Sequence, residues 1–176
     1  HLLVNLYCSF NQLTELDVSK NTALEGLDFS WNNLTTIDVS QNPLLIAFGC
    51  NNNKFEKLDL SDHHALEYIG CSDNLLTSLN IKNGNNLAIT EFYADNNPDL
   101  SCIAVDDITY ANSNPNWSKD PTAFFSTECI SGITLIPDPN FEQALIDLGV
   151  DNDGQINGQM STDDAAGVTI LQIGNR

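Results

Sequence analysis

LYCSFNQLTELDVSKN, Leu6 to Asn21, returns with substitutions as LDFSWNNLTTIDVSQN from Leu27, FGCNNNKFEKLDLSDH from Phe48 and IGCSDNLLTSLNIKNG from Ile69. Leu3, Leu24, Leu45 and Leu66 are 21 residues apart, and so are Asn11, Asn32, Asn53 and Asn74. The next copy comes two residues late. The NGNN stretch at Asn83–Asn86 bulges, after which Phe92, Ala94 and Asn97 resume the register of Leu6, Cys8 and Asn11. Five copies are legible, the fifth irregular. What is kept must serve the fold, and what varies is free to serve something else.

Leu3, Leu6, Cys8, Asn11 and Leu13 fill the form L-x-x-L-x-L-x-x-N-x-L, with Cys in place of the third Leu. That form at a period in the twenties marks a leucine-rich-repeat solenoid. Residues two apart on a strand point the same way, so Leu6 and Cys8 face inward while Asn5, Tyr7 and Ser9 face out. Each coil buries its inward row only against its neighbours. Asn11 and its equivalents stand where the chain turns, and an amide there satisfies turn backbone that would otherwise go unpaired. Leu13, Leu16 and Val18 repeat the inward spacing without a helix-length amphipathic run, so both sides of each coil are expected to be extended. The expected fold is a flat solenoid, mostly β with little helix.

The same period aligns Asp17, Asp38 and Asp59 with Asn80 on the far side of the coil. Such a row either holds a metal or bonds its own local backbone, and the second is ordinary Asp behaviour. Cys8, Cys50 and Cys71 share one inward position with Phe29 and Ala94, where a free thiol acts as a small hydrophobe. No His is spaced to join them in zinc binding or catalysis. His63 and His64 fall together on a turn, where exposed polar residues are expected.

The chain has 176 residues, with 24 Asp plus Glu against 6 Lys plus Arg, a net charge of −18. Such a surface repels phosphate backbones and anionic lipid, which excludes nucleic-acid partners. No apolar run is long enough for a membrane-spanning helix, so no membrane insertion is expected. No convergent set of acid, base and nucleophile is legible, and the chain is read as non-enzymatic.

LYCSFNQLTELDVSKNTAL resembles the leucine-rich-repeat arrays of large secreted surface proteins of polysaccharide-degrading bacteria, in which LxCSxNxLxxLDVSxNxxL units run in tandem. The resemblance implies an extracellular or cell-surface location and a repeat region over 1–100. It also implies a C-terminal cap over 101–130, where Ile103, Val105, Ile108, Tyr110, Trp117, Phe124 and Phe125 are available to cover the last leucines. Cys102 and Cys129 bracket that cap. In an oxidising exterior they are most simply a disulfide, worth about 3 kcal/mol for a loop of this size.

Residues 131–137 read as a linker. A helix follows, capped by Asp138, with Pro139 in its first turn, Phe141, Leu145 and Leu148 on one face, and Gly149 at its stop. Residues 138–176 resemble the N-terminal cap and first strand of a second array, so the chain is expected to be an internal piece of a longer protein. Its open ends would then support end-to-end contacts. Within this unit, DNDGQIN carries Asp151, Asp153 and Asn157 in the arrangement of a calcium loop. Gly149 and Met160 stand where the first and last ligands belong, so calcium is the one ion weighed and an ion-free turn is favoured.

The outward strand positions vary from copy to copy. They run Asn5, Tyr7, Ser9, Phe10; Gly26, Asp28, Ser30, Trp31; Ala47, Gly49, Asn51, Asn52; Tyr68, Gly70, Ser72, Asp73; and Glu91, Tyr93, Asp95, Asn96. Aromatic rings and carboxylates share one surface, a composition suited to recognition. The candidate ligand-binding set is Tyr7, Asp28, Trp31, Tyr68, Asp73, Glu91, Tyr93 and Asp95. Three uses are expected of it: binding a protein or surface partner, binding polysaccharide through Tyr7, Trp31, Tyr68 and Tyr93, or none, the chain being an adhesin spacer.

Overall fold

The computed structural model describes residues 2–129, 133–136, 138–151, 154–156 and 158–161. The chain divides into two compact units, His1–Cys129 and Ile130–Arg176.

The first unit is a leucine-rich-repeat solenoid. One strand per coil stacks into a six-stranded parallel sheet: β1 (Asn5–Tyr7), β2 (Gly26–Asp28), β3 (Ala47–Gly49), β5 (Tyr68–Gly70), β7 (Glu91–Ala94) and β9 (Trp117–Lys119). Leu6, Leu27, Phe48, Ile69, Phe92 and Trp117 pair in register along it, forming one inward column. The opposite wall is a four-stranded parallel sheet of β4 (Lys57–Asp59), β6 (Ser78–Asn80), β8 (Cys102–Ala104) and β10 (Phe124–Ser126). In the first two coils this wall carries no strand pairing.

Leu24, Leu45 and Leu66 are fully buried in one continuous core. Leu3, the same rung of the first coil, is 41% exposed. The ladder Asn explains why the turns close. Asn53 Nδ2 donates to the carbonyls of Phe29 (3.1 Å) and Cys50 (3.2 Å), and its Oδ1 accepts from the Leu34 N–H (3.0 Å). Asn32, Asn74 and Asn97 repeat the pattern. Each amide thereby ties two coils together and pairs backbone groups that water cannot reach.

The far-side row is local bonding. Asp17, Asp38, Asp59 and Asn80 each accept the N–H two residues on, at 2.9 to 3.1 Å. His63 departs from expectation, being only 4% exposed. It replaces the Asn of the second turn: Asn42 Nδ2 donates to Val18 O at 3.1 Å, and His63 Nε2 stands 3.1 Å from Val39 O.

The segment expected as a cap continues the solenoid, since β8, β9 and β10 add to both sheets. A short helix α1 (Ile108–Ser113), capped by the Asp107 carboxylate, fills the detour between β8 and β9. Ile103, Val105, Trp117 and Phe125 are buried, while Ile108 stays exposed. Cys102 and Cys129 are joined in a disulfide, with Cα atoms 5.7 Å apart.

In the second unit, Ile133–Leu135 (β11) pairs antiparallel with Gln159–Ser161 (β12). The stretch expected as a linker thus contains a strand. Helix α2 (Pro139–Asp147) starts where Asp138 accepts from the Asn140 and Phe141 N–H groups, and Gly149 follows it at φ +65°. Its buried face differs from the expected one. Leu145 packs with Ile136, Val150 and Met160, whereas Phe141 and Leu148 are exposed. Glu142 is buried instead, its carboxylate accepting the Gly158 N–H at 2.7 Å.

Candidate functional site

Five of the six strands in this sheet, β1, β2, β3, β5 and β7, are followed by the same backbone event. Phe10, Trp31, Asn52, Asp73 and Asn96, each just before the ladder Asn, adopt φ between +53° and +59°. This left-handed conformation suits Asn and Asp, whose short polar side chains bond locally, and costs a bulky residue roughly 1–2 kcal/mol. Three coils follow that preference. The first two place Phe10 and Trp31 there, with their rings stacked 5.4 Å apart at 10° between planes. They are 74% and 51% exposed. Two strained aromatic residues with half or more of their surface in water are poorly explained by packing.

Phe10 is absent from the eight-residue candidate set. Its signal in the sequence is its column: it aligns with Trp31 at a position otherwise held by Asn or Asp. Tyr7, 70% exposed, stands on the same face of the sheet. Tyr68 and Tyr93 pair farther along, with ring centroids 6.1 Å apart. The first coils therefore carry Tyr7, Phe10 and Trp31, and the fourth and fifth carry the tyrosine pair.

Between them the surface sinks. Ala47, Gly49 and Gly70 form a floor on which polar side chains of the preceding coil lie flat. A Cβ at Gly49 would stand 3.0 Å from the Asp28 carboxyl carbon, and one at Gly70 would stand 2.7 Å from Asn51 Nδ2 and 2.8 Å from the Tyr68 hydroxyl. Asp28 Oδ1 is fixed by the Ser9 hydroxyl and the Ser30 N–H, both at 2.9 Å.

The remaining carboxylates are held by neutral donors. Asp73 accepts from the Asn96 amide at 3.1 Å and the Asn52 amide at 3.4 Å. Glu91 accepts from the Tyr93 hydroxyl at 3.2 Å, and Asp95 from the Ser118 hydroxyl. No ion pair neutralises Asp28, Asp73, Glu91 or Asp95 among the described residues. Desolvation raises the Tyr68 and Tyr93 phenols above their ordinary range, with Glu91 adding to the effect at Tyr93. Both therefore stay neutral near pH 7, leaving the carboxylates as the face's only charge.

Behind the face, the thiols are inert. Burial pushes Cys50 well up and Cys71 up to about 12, and Cys8 is raised too. Thiols held protonated in this way are poor nucleophiles and poor metal ligands. Among the described residues, no group of three or more His, Cys, Asp or Glu is placed to hold a metal. Of the calcium-loop candidates, Asp151 is buried, and Asp153 and Asn157 lie outside the described residues. Among the described residues no helix is long and apolar enough to cross a membrane.

No family model and no curated protein matches the chain. Among solved structures it is similar to the functional domain of InlJ from Listeria monocytogenes, which includes a cysteine ladder. The TM-score is 0.51 and the identity 24%, over 73% of this chain and 36% of that one. The chain thus spans about a third of that neighbour's length, and at this identity the likeness concerns the fold: a leucine-rich-repeat solenoid.

Proposed function

We propose that this chain is a non-catalytic recognition module of a secreted or cell-surface protein, binding a protein or surface partner through the outward face of its six-stranded sheet. The observation that carries the reading is the Phe10–Trp31 stack, exposed and set on left-handed backbone. Strain kept at a surface where packing returns little is a mark of binding sites. Solenoids use this kind of broad, repeat-built surface for recognition. The Cys102–Cys129 disulfide fits an oxidising exterior.

A second reading is favoured by the same parallel rings and by Tyr7, Tyr68 and Tyr93: a polysaccharide-binding module in which sugar faces stack on the aromatics. One comparison separates the two. The immobilised chain is challenged with proteins extracted from cell surfaces and, separately, run in affinity gels containing soluble polysaccharides. The first reading expects saturable protein binding that falls at least about tenfold with Trp31→Asn, a hot-spot-sized loss, and no gel retardation. Retardation abolished by Trp31→Asn would establish the second. Binding of either kind that ignores Trp31→Asn and Tyr7→Ala would contradict both.

A further inference from the structure

The outward face is polarised along the solenoid axis. Its exposed apolar surface is concentrated in coils one and two, at Tyr7, Phe10 and Trp31, and three of its four carboxylates lie in coils four and five, at Asp73, Glu91 and Asp95. Coil three, between them, presents only Ala47, Gly49, Asn51 and Asn52, which are small or neutral. The chain's five lysines do not reach the outward positions of the first five coils. Lys20, Lys54, Lys57 and Lys82 lie elsewhere on each coil, and Lys119 sits in the inward column, its ammonium donating to the Ala123 carbonyl. The carboxylates' partners are amides and hydroxyls, so their negative charge faces outward uncompensated.

We infer that the occupant of this face is an extended, cationic polypeptide segment lying along the solenoid axis, with an apolar or aromatic residue on the Phe10–Trp31 stack and a Lys or Arg at Asp73 and Asp95. The inference rests on the recognition reading above and names the chemistry of its partner. Charge complementarity selects the cation: a neutral sugar would leave the carboxylate end unused, and an anionic one would be repelled. The polarity sets direction. Coil-to-coil spacing sets distance, because two steps of about 4.8 Å separate Trp31 from Asp73 and an extended chain advances about 3.3 Å per residue. Anchor and cation should therefore stand about three residues apart. Asp28 and Asn51 lie over Gly49 and Gly70, so the segment crosses coil three on polar side chains rather than on bare backbone.

The test uses synthetic decapeptides carrying one Trp or Leu and one Arg at separations of one to seven residues, in a Gly-Ser background. Binding is read by calorimetry with the full chain. The expected result is strongest binding at a separation of three or four, weakened at least about tenfold by Asp73→Asn with Asp95→Asn and by Trp31→Asn, and weakened by added salt. Asp17→Asn with Asp38→Asn and Asp59→Asn, which changes charge on the other wall of the coil, should leave affinity unchanged. Equal loss from that triple variant, or no dependence on separation, would mean diffuse attraction to an acidic chain and would overturn the inference. If the peptides do not bind while polysaccharide or an uncharged protein partner binds in a Trp31-dependent way, the cationic inference fails and the face remains a recognition surface. If no ligand of any kind responds to Trp31, both fail.

Discussion

A single amide shows how much of this fold depends on one residue per coil. Asn53 is buried and makes four bonds. Its two amide hydrogens are shared among the carbonyls of Phe29, Cys50 and Asn51, and its oxygen accepts from the Leu34 N–H. Asn53→Ala leaves the Leu34 N–H without a partner in a dry turn, at roughly 1–3 kcal/mol for a buried unsatisfied group, while the Phe29 and Cys50 carbonyls keep the amides of Asn32 and Asn74 and the Asn51 carbonyl keeps the Trp31 N–H. Equilibrium denaturation should therefore show a loss of about 1–3 kcal/mol. A loss under about 1 kcal/mol would mean the ladder Asn is dispensable. Phe10 and Trp31 are the contrast at this scale, because the next three coils show that Asn or Asp meets the backbone requirement of their position.

Among elements, the strand columns were legible in the sequence, because a strict 21-residue period places identical side-chain roles on identical rungs. The sixth coil was not. Trp117 follows Phe92 by 25 residues, and the detour through α1 hides its place in the inward column, although the two pair directly. His63 was hidden for a different reason: its type suggests surface, while its rung, shared with Asn42, dictates burial. The left-handed column could not be read at all from Phe10 and Trp31, since bulky residues conceal a conformation that Asn52, Asp73 and Asn96 would have suggested. The strand β11 lay in a stretch whose Pro and Gly neighbours read as a linker. A disulfide anchors the last coil, joining Cys102 on β8 to Cys129, 27 residues on. Replacing both by Ser should lower unfolding stability by about 3 kcal/mol, the value expected for closing a loop of that length. An unchanged unfolding midpoint in the double variant would show that β8–β10 hold the end without it.

For the molecule as a whole, the division between kept and varied positions separates stability from the recognition proposed above. The core columns, ladder amides and local Asp bonds account for the fold, and they leave the outward sheet face with rings and carboxylates that the fold does not require. That separation is the central claim, and the Phe10→Asn/Trp31→Asn double variant tests it most directly. Substitution relieves left-handed strain of roughly 1–2 kcal/mol per residue and gives up a ring stack worth about 0.5–1.5 kcal/mol together with some partly buried ring area. The account predicts an unfolding free energy within about 1 kcal/mol of the parent chain. A loss above about 3 kcal/mol, the size seen when a buried aromatic is truncated, would show that the two rings are part of the scaffold and would contradict it.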